Sequence, residues 1–189
     1  MNARSLMILL ALMLGLFALT GCSTDNSERQ RLVAEADLVN GGSPLVVAAL
    51  SDAGTGTDPT DDYVPIETLE VLFSARPLND TMEIEQYGPY SKFIVTAYDL
   101  TWVPGPDAPA ALTDYNVERG ALSVAIPVYD EIESSVLVGN LSMKAEAWFP
   151  GSPFTADLMV TFYGHESSSE HEVQLTVGTT VQFLYLVSE

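Results

Sequence analysis

Four aspartates in one short segment are the first side chains whose type and spacing suggest chemistry. Asp52, Asp58, Asp61 and Asp62 lie within the segment 51–62. Calcium takes about six to eight oxygen ligands, and clustered carboxylates can supply such oxygens. The spacing differs from that of an EF-hand loop, so a calcium site and a solvated acidic loop both stay open as interpretations. We expect no resident cofactor, and calcium is the alternative that this loop leaves open.

The two histidines of the chain form a second candidate site. His165 and His171 flank a polar segment that also carries Glu166 and Glu170. Two imidazoles and a carboxylate are suitable ligands for zinc or copper. The spacing matches no established metal motif, so the alternative is a solvated turn between two strands.

Aromatic residues beside turn residues form a third candidate, a contact surface. Tyr87 and Tyr90 enclose Gly88–Pro89, and Trp148 lies just before a Pro–Gly pair. Exposed aromatic rings at loop ends can stack on sugars or anchor a protein partner. Trp148 would point outward if the segment 141–149 formed a strand. The same segment contains good helix formers, so a short helix is the alternative.

Features typical of catalysis are few. The chain contains no G-x-S-x-G sequence and a single cysteine, Cys22. Carboxylate pairs such as Glu83 with Glu85 carry little information in a chain with 26 acidic residues. We therefore expect a protein without enzymatic activity.

The N-terminal segment has the organisation of an export signal. Arg4 precedes the uncharged apolar run 6–19, which ends in Leu19–Thr20–Gly21–Cys22. The run is too short to span a hydrocarbon core of about 30 Å with margin. This arrangement resembles a bacterial lipoprotein signal peptide with its lipobox. The resemblance implies that residues 1–21 are removed and that Cys22 is lipidated and anchors the chain to a membrane.

The residues after the cysteine extend this interpretation. The polar segment 22–31 contains no apolar residue after Cys22 and is expected to be a flexible tether. In lipoprotein sorting, as the resemblance implies, aspartate after the cysteine retains the protein in the inner membrane. Ser23 stands there in this chain. We therefore expect the protein to be located in the cell envelope. In a Gram-negative cell, we expect it in the outer membrane.

The charge of the chain is strongly negative. Six basic residues remain after residues 1–21, against 26 acidic ones, which gives a net charge of −20. Such a domain repels the phosphates of nucleic acids, and no basic patch opposes this repulsion. The sequence excludes nucleic acid as a partner.

From residue 32 onward the hydrophobic pattern is that of β-strands. Apolar residues recur at every second position in several segments, as expected when alternate side chains face a core. We expect Ile94, Tyr98, Leu100 and Trp102 to share one face, and Gly178 to mark a bulge or bend in the last strand. The predicted strands are 32–39, 45–50, 68–75, 92–103, 122–128, 155–162 and 172–187.

Seven or eight strands separated by turns predict one antiparallel, immunoglobulin-like β-sandwich over residues 32–189. Part of the chain also resembles the C-terminal half of small uncharacterised bacterial lipoproteins. The segments that carry this resemblance are 94–102, 122–128, 160–164 and 173–183. That resemblance implies an immunoglobulin-like sandwich and transfers no catalytic residue.

The combined prediction is a lipid-anchored envelope protein with a structural or partner-binding role and a protein partner in the envelope. The alternative is a cation- or glycan-binding surface lipoprotein. It would use the acidic loop 51–62 or the loop aromatics.

Overall fold

Eight β-strands form most of the domain. The computed structural model describes residues 30–52, 62–79, 91–149 and 153–188, with 81, 84, 88 and 151. The strands range from 7 residues in β1 to 16 residues in β8. Their bounds are β1 Leu32–Leu38, β2 Leu45–Asp52, β3 Glu67–Pro77, β4 Lys92–Pro104, β5 Val117–Pro127, β6 Glu131–Gly139, β7 Phe154–Glu166 and β8 Val173–Ser188.

The strands form two sheets packed face to face. One sheet has the order β1-β3-β6, and the other has the order β2-β8-β7-β4-β5. The prediction of an all-β, immunoglobulin-like sandwich of seven or eight strands is confirmed, with eight strands among the described residues. One pairing differs from a wholly antiparallel arrangement, since β2 lies parallel to β8. β1 and β2 belong to different sheets, so no hairpin sets the direction of β2.

The core lies between the two sheets and consists of the inward residues of every strand. Phe73 of one sheet meets Phe162 of the other edge to face, with ring centroids 4.9 Å apart. Trp102 is 2 % exposed and contacts Phe183, so its predicted place in the core is confirmed. Burial of these aromatic rings supplies much of the apolar area removed from water.

Strand β4 does not keep a single phase of alternation. Its pairing with β7 shifts register between Val95 and Ala97, because β4 takes two residues there where β7 takes one, from Gly164 to Tyr163. Phe93 and Val95 are therefore fully buried, while Ile94 is only half-buried. The prediction that Ile94 shares a face with Trp102 was wrong, because irregularities shift the phase between them.

The structure also corrects the prediction for Gly178. This residue pairs with Met159 in an unbroken register along β7 and β8, so it is not a bulge. β7 and β8 pair antiparallel on either side of a turn at 167–168, so they form a hairpin.

The segment 141–149 is not a strand. Residues Leu141–Lys144 form a short helix, α1, and Asn140 accepts a hydrogen bond from the backbone N–H of Met143 at 2.8 Å. This N-cap satisfies a donor that the first turn leaves open. Besides α1, a 3₁₀ helix spans Ala110–Tyr115. Within the described residues, no helix has the length and apolar character needed to cross a membrane.

Helix α1 carries one half of a buried ion pair. Lys144 Nζ lies 2.6 Å from Glu67 Oε2 and also donates to the carbonyl of Pro65. Glu67 in turn accepts the backbone N–H of Ala48 at 2.9 Å. Gly139 makes room for the carboxylate, because a Cβ there would lie 2.2 Å from Oε2. The pair thus joins α1 to β2 and β3.

Candidate functional site

A cluster of four polar side chains on the outer face of the larger sheet is the main candidate site. It contains Asp99 of β4, Arg119 of β5, Tyr163 of β7 and Glu172, the residue before β8. We call these four residues the Arg119 cluster. Sheet pairing brings them together although they are far apart in sequence. Asp99 and Tyr163 lie on neighbouring antiparallel strands, and β5 lies on the other side of β4.

Arg119 reaches this position through an irregularity in β5. Tyr98 pairs with Gly120 and Leu100 with Val117, so β5 carries one extra residue over this stretch. Arg119 has a φ of 51°, a left-handed conformation that is uncommon for residues other than glycine. Such a bulge redirects a side chain, and here it turns the arginine back over the sheet.

The guanidinium of Arg119 makes two kinds of contact. Its carbon lies 3.6 Å from the centroid of the Tyr163 ring, which is a cation–π arrangement. Its two terminal nitrogens donate to the two carboxylate oxygens of Glu172 at 2.7 and 3.0 Å. The planar guanidinium suits this paired geometry, which lysine could not reproduce.

Asp99 bonds to two other members of the cluster, Arg119 and Tyr163. Its carboxylate accepts the backbone N–H of Arg119 at 2.7 Å and the hydroxyl of Tyr163. The backbone hydrogen bond, with a smaller effect of the Tyr163 hydroxyl, holds the pKa of Asp99 below its ordinary value. The same hydroxyl bond to Asp99 raises the pKa of Tyr163.

The charges of Arg119 and Glu172 also stabilise each other. The hydrogen bonds between Arg119 and Glu172 raise the pKa of the arginine and lower that of the glutamate. At neutral pH the cluster therefore contains two carboxylates, one guanidinium and a protonated phenol.

A shallow depression of about 400 Å³ adjoins the Arg119 cluster. Asn116 lines it, and its side-chain oxygen already accepts the backbone N–H of Trp102 at 2.8 Å. The four members of the cluster are bonded to one another. The clearest physical effect of the arrangement is that it holds the irregular start of β5 against β4 and β7.

Only part of the predicted calcium loop lies within the described residues. Asp52 is half-buried at the end of β2, and Asp62 is half-buried beside the Ser51–Tyr63 bridge. Asp58 and Asp61 lie outside the described residues, as does Cys22. The calcium site stays a prediction.

The structure gives His165 and His171 different surroundings. His165 Nδ1 lies 2.8 Å from the carbonyl oxygen of Glu166 and 3.0 Å from that of Ser169, so it carries the proton and donates. His171 is exposed, and its backbone N–H donates to Ser169 Oγ. The described residues contain no group of three or more His, Cys, Asp or Glu side chains placed to hold a metal ion. The histidine metal site also stays a prediction.

The aromatic contact surface is described only at Trp148. Tyr87 and Tyr90 lie outside the described residues. Trp148 was expected to point outward only if the segment 141–149 formed a strand. The structure shows that this segment is not a strand. Its ring is half-buried and contacts Tyr115, Phe149 and Phe154 with centroid distances of 6.3, 5.6 and 5.9 Å. The contact role of Trp148 stays a prediction.

One buried carboxylate was missed as a structural element. Glu166 is 2 % exposed and accepts the backbone N–H of Leu32 at 2.6 Å and that of Arg31. It thereby fastens Arg31, the last residue of the predicted tether, and Leu32, the first residue of β1, to β7. The only sequence signal was its place in the alternating pattern of β7, where it follows the inward phase of Phe162 and Gly164.

Comparisons with known proteins add little. No family model matches the chain, and no curated protein matches it. Among solved structures, the CooA pilin subunit of enterotoxigenic Escherichia coli is similar with a TM-score of 0.32 and 8% identity. The match covers 78% of this chain and 96% of the pilin subunit.

A family 123 glycoside hydrolase from Clostridium perfringens is similar with a TM-score of 0.33 and 10% identity. That match covers 84% of this chain but only 28% of the hydrolase. Both likenesses are too distant to carry any argument about function.

Proposed function

We propose that this chain is a lipid-anchored protein of the cell envelope whose β-sandwich binds a protein partner and performs no catalysis. The lipobox at Cys22 supports the anchor, since the short apolar run and the small residues before the cysteine suit lipidation. The tether 22–31 would let the domain reach a partner near the membrane.

The observation that carries the binding role is the Arg119 cluster. Surfaces that bind proteins perform best when the free protein already holds them in the bound conformation, because less ordering entropy is lost. The cluster fixes the start of the outermost strand β5 through a cation–π contact, a bidentate ion pair and two hydrogen bonds to Asp99. It thus supplies a rigid outer surface.

The anchor is tested by metabolic labelling with a radioactive fatty acid. The wild-type chain should incorporate the label and sediment with membranes, and the Cys22→Ser variant should do neither. A matched Ser23→Ala variant should behave as the wild type. Equal labelling of the wild type and Cys22→Ser would exclude lipidation at Cys22.

The partner is tested by carbodiimide crosslinking in the native envelope. This reagent couples carboxylates to amines, which suits a chain with 26 acidic residues and only two lysines, Lys92 and Lys144. We expect one stoichiometric partner with the wild type and much less with Cys22→Ser. Recovery of the chain without any crosslinked partner would overturn the binding role.

A further inference from the structure

The end of the sandwich that receives the predicted tether exposes two large apolar side chains. Leu78, just after β3, is 55 % exposed, and Tyr129, in the turn between β5 and β6, is 56 % exposed. Backbone hydrogen bonds place both beside the start of β1. The N–H of Leu78 donates to the carbonyl of Arg31 at 2.7 Å, and that of Tyr129 donates to the carbonyl of Ala75 at 2.8 Å. We call this part of the domain the tether end.

The backbone of Tyr129 is unusual for its residue type. Its φ is 69°, and the N–H of Asp130 closes its turn by donating to the carbonyl of Pro127 at 3.1 Å. Glycine or asparagine is the usual residue at such a turn position, because a bulky side chain is strained at a positive φ. Strained residues of this kind are concentrated at functional sites. The turn thus holds a large aromatic ring in solvent despite the strain.

The length of the chain before β1 limits how far the tether end can lie from a membrane. In the proposed function, Cys22 carries the lipid, and Arg31 follows it by nine residues. Nine residues span at most about 30 Å, because a fully extended residue spans about 3.3–3.6 Å. The backbone of Arg31 is fixed to the domain by the carboxylate of Glu166 and by Leu78. The tether end is therefore the part of the described domain that is held closest to the bilayer.

The tether end carries charges of both signs. Four of the six basic residues that follow Cys22 lie there or in the tether itself, and they are Arg29, Arg31, Arg76 and Lys92. Arg76 also lies 3.2 Å from Glu35. The acidic residues at this end, or in the sequence between β3 and β4, are Asp80, Glu83, Glu85, Asp130, Glu131 and Glu170. Such a mixture suits zwitterionic head groups, whose phosphates pair with guanidinium and ammonium groups and whose amines pair with carboxylates. The net charge of −20 disfavours a strongly anionic surface.

We infer that the tether end lies on the phospholipid surface that holds the anchor, with Tyr129 and Leu78 inserted among zwitterionic head groups. This inference rests on the proposed function, since it needs the lipid at Cys22, and it adds a second membrane contact. Tyrosine suits that depth, because its ring is apolar and its hydroxyl is polar. The second contact orients the domain, so the opposite end of the sandwich points away from the membrane, where a partner can reach it.

The test uses the wild-type protein, purified with its lipid and inserted into preformed vesicles of phosphatidylcholine and phosphatidylethanolamine. Hydroxyl radicals oxidise exposed side chains, and mass spectrometry measures the rate at each residue. The Cys22→Ser chain, free in solution, gives the reference rates. We expect Tyr129 to be oxidised about tenfold more slowly on vesicles, because burial of an aromatic ring favours the docked state by roughly that factor. Tyr185, which is 48 % exposed near the far end of β8, should keep its reference rate.

Two variants of the lipidated protein test the role of the ring. Tyr129→Asn removes it, and asparagine tolerates the positive φ. Leu78 should then be oxidised on vesicles nearly as fast as in the reference chain. The matched variant Ile66→Asn removes an apolar side chain that is 72 % exposed at the opposite end of the sandwich, and it should leave Leu78 protected. Circular dichroism checks that both variants fold.

Three results would overturn the inference: equal oxidation of Tyr129 on vesicles and in solution, equal protection of Tyr129 and Tyr185, or full protection of Leu78 in Tyr129→Asn. Protection in the native envelope but not on vesicles would also overturn it, because a protein rather than lipid would then cover the tether end.

The outcome separates this inference from the proposed function. If the wild type incorporates fatty acid but Tyr129 is unprotected on vesicles, the second membrane contact is wrong and the lipid anchor stands. If the wild type carries no lipid, the anchor and this inference both fail. The carbodiimide experiment decides the binding role in either case.

Discussion

The guanidinium of Arg119 lies 3.6 Å from the centroid of the Tyr163 ring. This contact joins β5, an outermost strand, to β7, although β4 lies between them. It exists because the left-handed backbone of Arg119 turns the side chain across β4. The backbone irregularity and the contact with the Tyr163 ring therefore act together to hold β5 against the sheet.

Removal of the Tyr163 hydroxyl is expected to raise the pKa of Asp99. The Tyr163→Phe substitution deletes the second-largest cause of the lowered value and leaves the largest, the backbone N–H of Arg119, in place. The pKa of Asp99 should therefore rise only part of the way to 3.8. A carboxyl-detected NMR titration measures it, with Tyr185→Phe, at an exposed ring of β8, as control. No change in Tyr163→Phe would contradict the hydrogen bond.

The same lowered pKa predicts a pH dependence of stability. Because the folded pKa of Asp99 is depressed, its contribution is present above the unfolded value near 3.8. It is lost as the pH falls from there through the folded value. The Asp99→Asn variant should therefore be less stable than the wild type at pH 7, and the difference should shrink below about pH 4. Urea unfolding at several pH values tests this, and a constant difference would contradict it.

Tyr115 should ionise at unusually high pH. Its hydroxyl donates to Glu146 Oε1 at 2.7 Å, and this bond is the main cause that raises its pKa to about 12. Since the folded pKa is raised, the stability that this bond provides is lost as the pH rises from about 10 to about 12. Ultraviolet titration of the Glu146→Gln variant should show a pKa closer to 10. Asp114→Asn, which removes a smaller cause, should change the pKa less.

Breaking the buried ion pair should destabilise the domain strongly. The Lys144 side chain is 3 % exposed and that of Glu67 is 10 % exposed, so Lys144→Met leaves a carboxylate buried without its cation. We expect a loss of about 3–5 kcal/mol in the free energy of unfolding. The double variant Glu67→Met with Lys144→Met should recover most of this loss. Lys92→Met, at an exposed site, serves as control and should change stability by about 0.5 kcal/mol or less.

The carboxylate of Glu166 should decide how firmly the start of β1 is held. Both backbone donors, Arg31 and Leu32, bond to the same oxygen, so Glu166→Gln retains an acceptor while Glu166→Leu does not. We expect Glu166→Leu to cost about 2 kcal/mol and Glu166→Gln clearly less. Hydrogen exchange at the Leu32 amide, together with denaturant unfolding, measures both effects. Equal losses in the two variants would show that the charge, rather than the acceptor, is what matters.

Seven of the eight strands could be predicted, most of them because their residues alternate between core and surface and β2 because it is a continuous apolar run. Burial alternates along β3 from Leu69 onward, and along β7 from Phe154 to Phe162. Strand β6 was not predicted, since acidic and serine residues occupy most of its first half and only Val136 and Val138 lie deep in the core. β6 forms a strand because its backbone pairs with β3, and its own sequence gives no clear alternating pattern.

The sequence by itself determined the class of the fold and the acidic charge, because these depend on local periodicity and composition. Tertiary structure alone decided the Arg119 cluster, the Lys144–Glu67 pair and the bond from Glu166 to Leu32. Each joins residues far apart in the chain, and sheet order and bulges decide whether such residues meet. A single inserted residue in β5 turns Arg119 toward Tyr163, and no pattern within one strand shows where that insertion falls.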